Sequence, residues 1–187
     1  MMSIPAADSL LEEGEPSSRL FVALWPAPAV RQELQAWLQG WHWPSRAGPV
    51  TPESLHLTLH FLGQVANARI AELRHGVAVP FTPFELNFSH PTLWSHGIAV
   101  LLPDSVPSAL LDLQAAVGVE LLRMGLPVEK RAFRPHVTLS RRADGAAAPG
   151  EGPLVRWPVR EYALVLSSPG RSRHEPNGYA VLETYPA

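Results

Sequence analysis

Two short stretches carry residue types able to do chemistry together: His56-Leu57-Thr58-Leu59 and His136-Val137-Thr138-Leu139. In each, histidine and threonine stand two residues apart, the spacing that brings side chains to one face of a β-strand. If strands from the two halves of the chain face one another, a single cleft holds two imidazoles and two hydroxyls. Imidazole titrates at about 6.5 when unperturbed, so one ring neutral and one protonated near neutral pH make a general base and a general acid. The threonine hydroxyls can hydrogen-bond non-bridging phosphate oxygens, where charge gathers in the transition state. Such a set suits in-line displacement on a cyclic phosphodiester: a proton leaves the attacking water on one side and another reaches the departing alkoxide on the other. This scheme uses no metal and no cofactor, and the residue types alone let either histidine take either role.

One His-x-Thr copy reads equally well as a half-buried histidine beside a strand-forming threonine. The argument therefore rests on two copies, each followed by leucine and each in an alternating segment. His60 shares parity with His56, but at about 3.3 Å per residue the two stand roughly 13 Å apart along a regular strand. That is too far for two ligands bonded to one ion at about 2 Å. His60 is expected to line the groove or the surface, and no HExxH pattern occurs. His42, His75, His90, His96 and His174 fall in no recurring pattern. Arg131, Arg134, Arg141 and Arg142 read as a solvated basic face, or as a patch that steers an anion. The six tryptophans (25, 37, 41, 43, 94 and 157) read mostly as core or lid packing.

The elements that must position these residues alternate between strand and helix patterns. Leu20 to Trp25 is a short apolar strand, stopped by Pro26 and Pro28. The helix that follows runs to about Trp41 and carries Val30, Leu34, Trp37 and Leu38 on one stripe. Leu55 to Phe61 alternates strictly, with Leu55, Leu57, Leu59 and Phe61 on one face and His56, Thr58 and His60 on the other. Asn67 is placed to cap a helix with Ile70, Leu73 and Val77. Phe84 to Phe88 and Ile98 to Leu102 read as neighbouring strands. Pro107 opens a helix carrying Leu110, Leu113, Val117, Leu121 and Leu122, ended by Gly125. Phe133 to Ser140 repeats the mixed alternation. Strands at Tyr162 to Ser167 and Gly178 to Thr184 follow a Gly/Ala/Pro-rich loop at Ala143 to Pro153. The pattern predicts an α+β architecture with helices covering antiparallel or mixed sheets.

Composition narrows the function classes. The chain has 187 residues, 46% of them hydrophobic, enough for one domain with a real core; residues 1–17 read as a flexible acidic tail and 18–187 as the domain. With no cysteine there is neither a disulfide framework nor a thiolate nucleophile, which favours a cytoplasmic protein. Neither a secretory leader nor an apolar run of roughly 20 residues is present, so no membrane partner is expected. A formal charge of -2 means that any nucleic acid is gripped locally rather than by the whole surface. A monomer is expected.

Taken together, Arg19-Leu20-Phe21-Val22-Ala23, Leu55-His56-Leu57-Thr58-Leu59-His60-Phe61-Leu62-Gly63 and Phe133-Arg134-Pro135-His136-Val137-Thr138-Leu139-Ser140-Arg141 resemble the two-histidine (2H) phosphoesterases. The resemblance is strongest to their RNA 2',3'-cyclic phosphodiesterases, also known as 2'-5' RNA ligases. It implies a bilobed, pseudo-symmetric fold, with two antiparallel sheets lining a central groove and helices outside. The implied reaction is metal-independent hydrolysis of RNA 2',3'-cyclic phosphate ends to 2'-phosphates, with 2'-5' ligation as a minor reversal. By position, His136 corresponds to the base, His56 to the acid, Thr58, Thr138 and Arg141 to phosphate contacts, and Phe21 to an aromatic that stacks on the terminal base. Arg141 has the wrong parity for the groove on a straight strand, so a bulge or strand end must re-aim it; Arg142 is the alternative. Two further readings are a phosphodiesterase for another cyclic or 2',5'-linked nucleotide and a non-catalytic RNA-end binding module.

Overall fold

A computed structural model describes residues 15–168 and 178–187. The expected tail lies almost wholly outside them, as does His174. The first strand, β1 (Ser17–Leu24), begins within the span read as tail, because Ser17 already pairs with Ala66. There follow α1 (Pro28–Gly40), β2 (Gly48–Pro49), β3 (Leu57–Ala66), α2 (Ile70–Gly76), β4 (Phe84–Trp94), β5 (Ile98–Pro103) and α3 (Ser108–Arg123). The chain closes with β6 (Val137–Arg141), β7 (Val155–Val159), β8 (Glu161–Ser168) and β9 (Gly178–Pro186).

Every strand pairing is antiparallel, in the order β7-β4-β5-β6-β3-β1-β8-β9, with β2 added to β6. The sheet is two four-stranded halves joined where β3 meets β6, and the ladder there consists of Leu57 opposite Val137. The helices cover one face. In β1, Leu20, Val22 and Leu24 enter the main core with Val30, Leu34, Trp37 and Leu38 of α1 and Leu110, Leu113, Val117 and Leu121 of α3. Each such side chain taken from water contributes about 1.5–3 kcal/mol, which is what holds the helices to the sheet. The alternate residues Phe21 and Ala23 face the other way, packing with Ala163 and Val165 against Trp25 and Tyr179.

Several expectations are corrected by the backbone. Ladder pairing starts at Leu57 and Val137, so His56 and His136 each stand just before a strand rather than inside one. Asn67 does not cap α2: its side-chain oxygen accepts from the Ser18 hydroxyl at 2.7 Å, and a short 3-10 turn, Asn67–Arg69, intervenes. Strict alternation fails after Leu59. Thr58 pairs with Ala23 but His60 pairs with Val22, leaving Leu59 as the extra residue of a β-bulge. Beyond it His60 turns into the core, 4% exposed, and Phe61 turns to the open face, 48% exposed. His60 is therefore not a surface residue: its nearly buried ring backs the cavity beside the motif strands, and its Nε2–H donates to the Gln114 carbonyl at 2.7 Å.

Candidate active site

The motif strands meet at the seam. Continued by one residue each way, the antiparallel register of Leu57 and Val137 sets His56 across from Thr138 and Thr58 across from His136. All four residues border one cleft of about 370 Å³. A second bulge mirrors the first: Thr138 pairs with Val100 but Ser140 with Ala99, so Leu139 is the extra residue. Ser140 is thereby fully buried and Arg141 is turned to the cleft, where its guanidinium bears on both imidazoles. Arg142 does not border the cleft; its backbone is left-handed at φ 58° and its guanidinium lies against Gly48.

The histidines are held by one device used twice. His56 Nδ1–H donates to the Ser54 carbonyl at 2.6 Å, and His136 Nδ1–H donates to the Arg134 carbonyl at 2.7 Å. Each bond spans two residues, fixes the tautomer and leaves Nε2 as the reactive nitrogen. Burial pushes His56 down to about 4, aided by the nearby His136 and Arg141 and opposed by the Ser54 carbonyl. His136 is also lowered, chiefly by burial and then by Arg141 and Arg134, against the support of the Arg134 carbonyl. In the free protein both rings are therefore neutral near pH 7, rather than one neutral and one charged.

Aromatic rings crowd both imidazoles, and of these only Phe21 is expected at the site from the sequence, as a group that stacks on the terminal base. Phe21, Trp25 and Tyr179 surround His56 with ring centroids at 4.9, 5.5 and 5.3 Å, Trp25 lying nearly parallel to it. Trp94 lies 4.6 Å from His136. Phe21 is only 3% exposed, so its ring supports His56 and leaves little face for a base. The exposed aromatic in the cleft is Phe61, with the Arg19 guanidinium 4.7 Å above its ring. Parity with Phe21 and Ala23 would have placed Arg19 and Trp25 on the cleft face, but the all-apolar run hid the alternation. Among the described residues, no group of three His, Asp or Glu gathers in a way that could hold a metal ion, and no helix is long and apolar enough to cross a membrane.

Paired His-x-Thr strands across the seam of a helix-backed antiparallel sheet define a two-histidine phosphoesterase. The chain belongs to the 2'-5' RNA ligase superfamily, whose sequence signature matches residues 26–167. It is 32% identical over 166 residues to the RNA 2',3'-cyclic phosphodiesterase of Escherichia coli (strain K12), covering 84% of this chain and 93% of that one. Identity is also 32% over 159 residues to the enzyme of the same name from Thermus thermophilus, covering 73% and 74%. Escherichia coli LigT solved with 3'-AMP superposes with a TM-score of 0.80 at 28% identity, over 91% of this chain and 98% of that one. The family and the bilobed α+β fold expected from the motifs are those found.

Proposed function

We propose that this chain hydrolyses 2',3'-cyclic phosphate ends of RNA to 2'-phosphate ends, with His136 as general base and His56 as general acid. The observation that carries the reading is the paired-imidazole geometry: two rings at one seam, each fixed through Nδ1 by a carbonyl two residues upstream, each offering Nε2 to the same cleft. His136 Nε2 takes a proton from water as its oxygen bonds to phosphorus. The P–O3' bond breaks on the opposite side, and His56 Nε2–H protonates O3'. Thr58 and Thr138 donate hydrogen bonds to the non-bridging oxygens, and Arg141 supplies positive charge. Proton exchange with solvent then restores the starting state.

Both rings are neutral in the free protein, so the acid needs a source for its proton. The cyclic diester is an anion, and its arrival beside the imidazoles favours their charged forms. Substrate and proton thus enter together. The strong depression of His56 favours a second reading, in which His56 is the base, His136 the acid and O2' the leaving group.

One experiment separates these readings: incubation of the purified protein, in excess EDTA, with a short RNA ending in a 2',3'-cyclic phosphate. A 2'-phosphate product is expected. A 3'-phosphate keeps the enzyme class but makes O2' the leaving group, which reverses either the polarity of the bound substrate or the two histidine roles. Strict dependence on a divalent ion transfers the chemistry to a metallophosphodiesterase, and no product at all moves the protein to another cyclic or 2',5'-linked nucleotide, or to binding alone.

A further inference from the structure

Beyond His136 the catalytic cleft continues into a second cavity of about 610 Å³, which shares Thr58, Phe61 and His136 with it. Its wall contains Trp94, Phe133, Arg131 and Arg134, none of which is assigned a contact with the reacting phosphate. The indole of Trp94 lies against His136, and the Arg134 guanidinium sits 4.7 Å above that indole. Imidazole, indole and guanidinium thus follow one another outward from the reaction centre, the indole tilted by 58° to the imidazole and the guanidinium over the indole face. The last of them, Arg134, is exposed, and so is Arg131, whose side chain is 87% exposed with Glu129 3.2 Å away.

We infer that this second cavity is a subsite for the penultimate nucleotide of a single-stranded RNA, its base stacking on the Arg134 guanidinium and its linking phosphate lying near Arg131 and Arg134. The inference rests on the proposed cyclic phosphodiesterase activity. A nucleotide ending in a 2',3'-cyclic phosphate has two further substituents, the base on C1' and the chain on O5', and they need separate space. Phe61 under Arg19 offers a platform for the terminal base inside the catalytic cleft. The chain cannot leave past His56, whose ring is covered by Phe21, Trp25 and Tyr179. On the His136 side the wall opens and presents aromatic and guanidinium planes, with Arg134 exposed and Arg131 paired to Glu129 at the rim, the chemistry that holds single-stranded nucleic acid without fixed sequence. Among the described residues, the cavity at the other end of the groove, around Ser17, Arg19, Gln64 and Ser168, supplies hydroxyls and one guanidinium but no aromatic ring.

The test compares kcat/KM for adenosine 2',3'-cyclic monophosphate with that for ApA ending in a 2',3'-cyclic phosphate, in the wild type, Arg131→Ala and Arg134→Ala. A stacked base and a neutralised phosphate predict a preference for the dinucleotide of about tenfold or more. That ratio should fall towards one in Arg134→Ala and fall partway in Arg131→Ala, with a shallower salt dependence in both. Arg134→Lys, which keeps the charge without the plane, should recover the salt dependence but not the full ratio. Equal wild-type kcat/KM values overturn the subsite and leave the phosphodiesterase reading standing. A preference untouched by both alanine substitutions also overturns it, and no turnover of either substrate overturns the reading on which it depends.

Discussion

Each imidazole is tied by its own Nδ1–H to a carbonyl two residues before it, so the tautomer of neither ring depends on a neighbouring side chain. That economy explains how two histidines with no carboxylate partner among the described residues can still present two Nε2 atoms in fixed positions. Replacing His56 or His136 by Ala should lower kcat by about 10²–10⁴-fold with circular dichroism unchanged; near-normal turnover by either variant excludes the paired mechanism. Loss of one donor to the developing charge, in Thr58→Val or Thr138→Val, should cost about 10²-fold in kcat. The pH dependence follows from burial. Both rings are held below 6.5 in the free cleft, so kcat/KM, which reports the free protein, should peak on the acid side of neutrality. The bound anion raises both rings, and the alkaline limb of kcat should therefore lie at higher pH than that of kcat/KM. Coincident limbs above pH 7.5 would show that the free site does not desolvate its histidines.

The paired bulges decide what each motif strand offers after its threonine. At Leu59 the extra residue turns His60 into the core and Phe61 to the cleft; at Leu139 it turns Ser140 in and Arg141 out. Equivalent positions thus give one half an aromatic platform and the other an anion contact, which breaks the pseudo-symmetry. Buried His60 in turn sets how α3 meets β3. A methyl group on Gly118 would lie 3.2 Å from its Cε1 and 3.3 Å from its Nε2, while the ring is pinned to Gln114. Helix propensity alone gives Gly118→Ala a gain of about 1 kcal/mol, but displacing a packed, hydrogen-bonded ring costs about 1–3 kcal/mol. The variant should lower the urea midpoint in the wild type and raise it in a His60→Val background; the same sign in both backgrounds refutes the contact. The helix stripes, the strand order of types and both His-x-Thr pairs were legible because each follows a clean period. The bulge at Leu139 was legible only through the parity of Arg141, which required a bulge or a strand end; the one at Leu59 was not, since an apolar leucine continues the alternation while the ladder slips beneath it. Strand β7 escaped notice because Pro158 argues against a strand, yet an edge position paired only with β4 tolerates it. Cleft-facing Arg19 and Trp25 were masked by a run apolar on both faces.

Across the whole molecule, both proposed catalytic rings and His60 are kept neutral by burial, and the fold bears the cost in acid. Unfolded, each titrates at about 6.5; folded, His56 is held at about 4, and His60 and His136 also lie below 6.5. As pH falls below 6.5 the unfolded chain takes up protons that the folded chain refuses. The stability they contribute is therefore complete above 6.5 and is lost as pH falls, for His56 down to about 4. At pH 5 the His56 share alone is about 2 kcal/mol, which in a chain of this size lowers Tm by roughly 4–8 °C. The two halves join where Leu57 meets Val137, so charging the rings beside that ladder strikes where the halves are held together. Urea unfolding at pH 7.5 and pH 5.0 should show wild type losing more stability than His56→Gln, by about that same 2 kcal/mol, because glutamine does not titrate. Parallel losses in the two proteins would mean that His56 is solvated in the folded state, and would remove the electrostatic reason for coupling substrate binding to proton uptake.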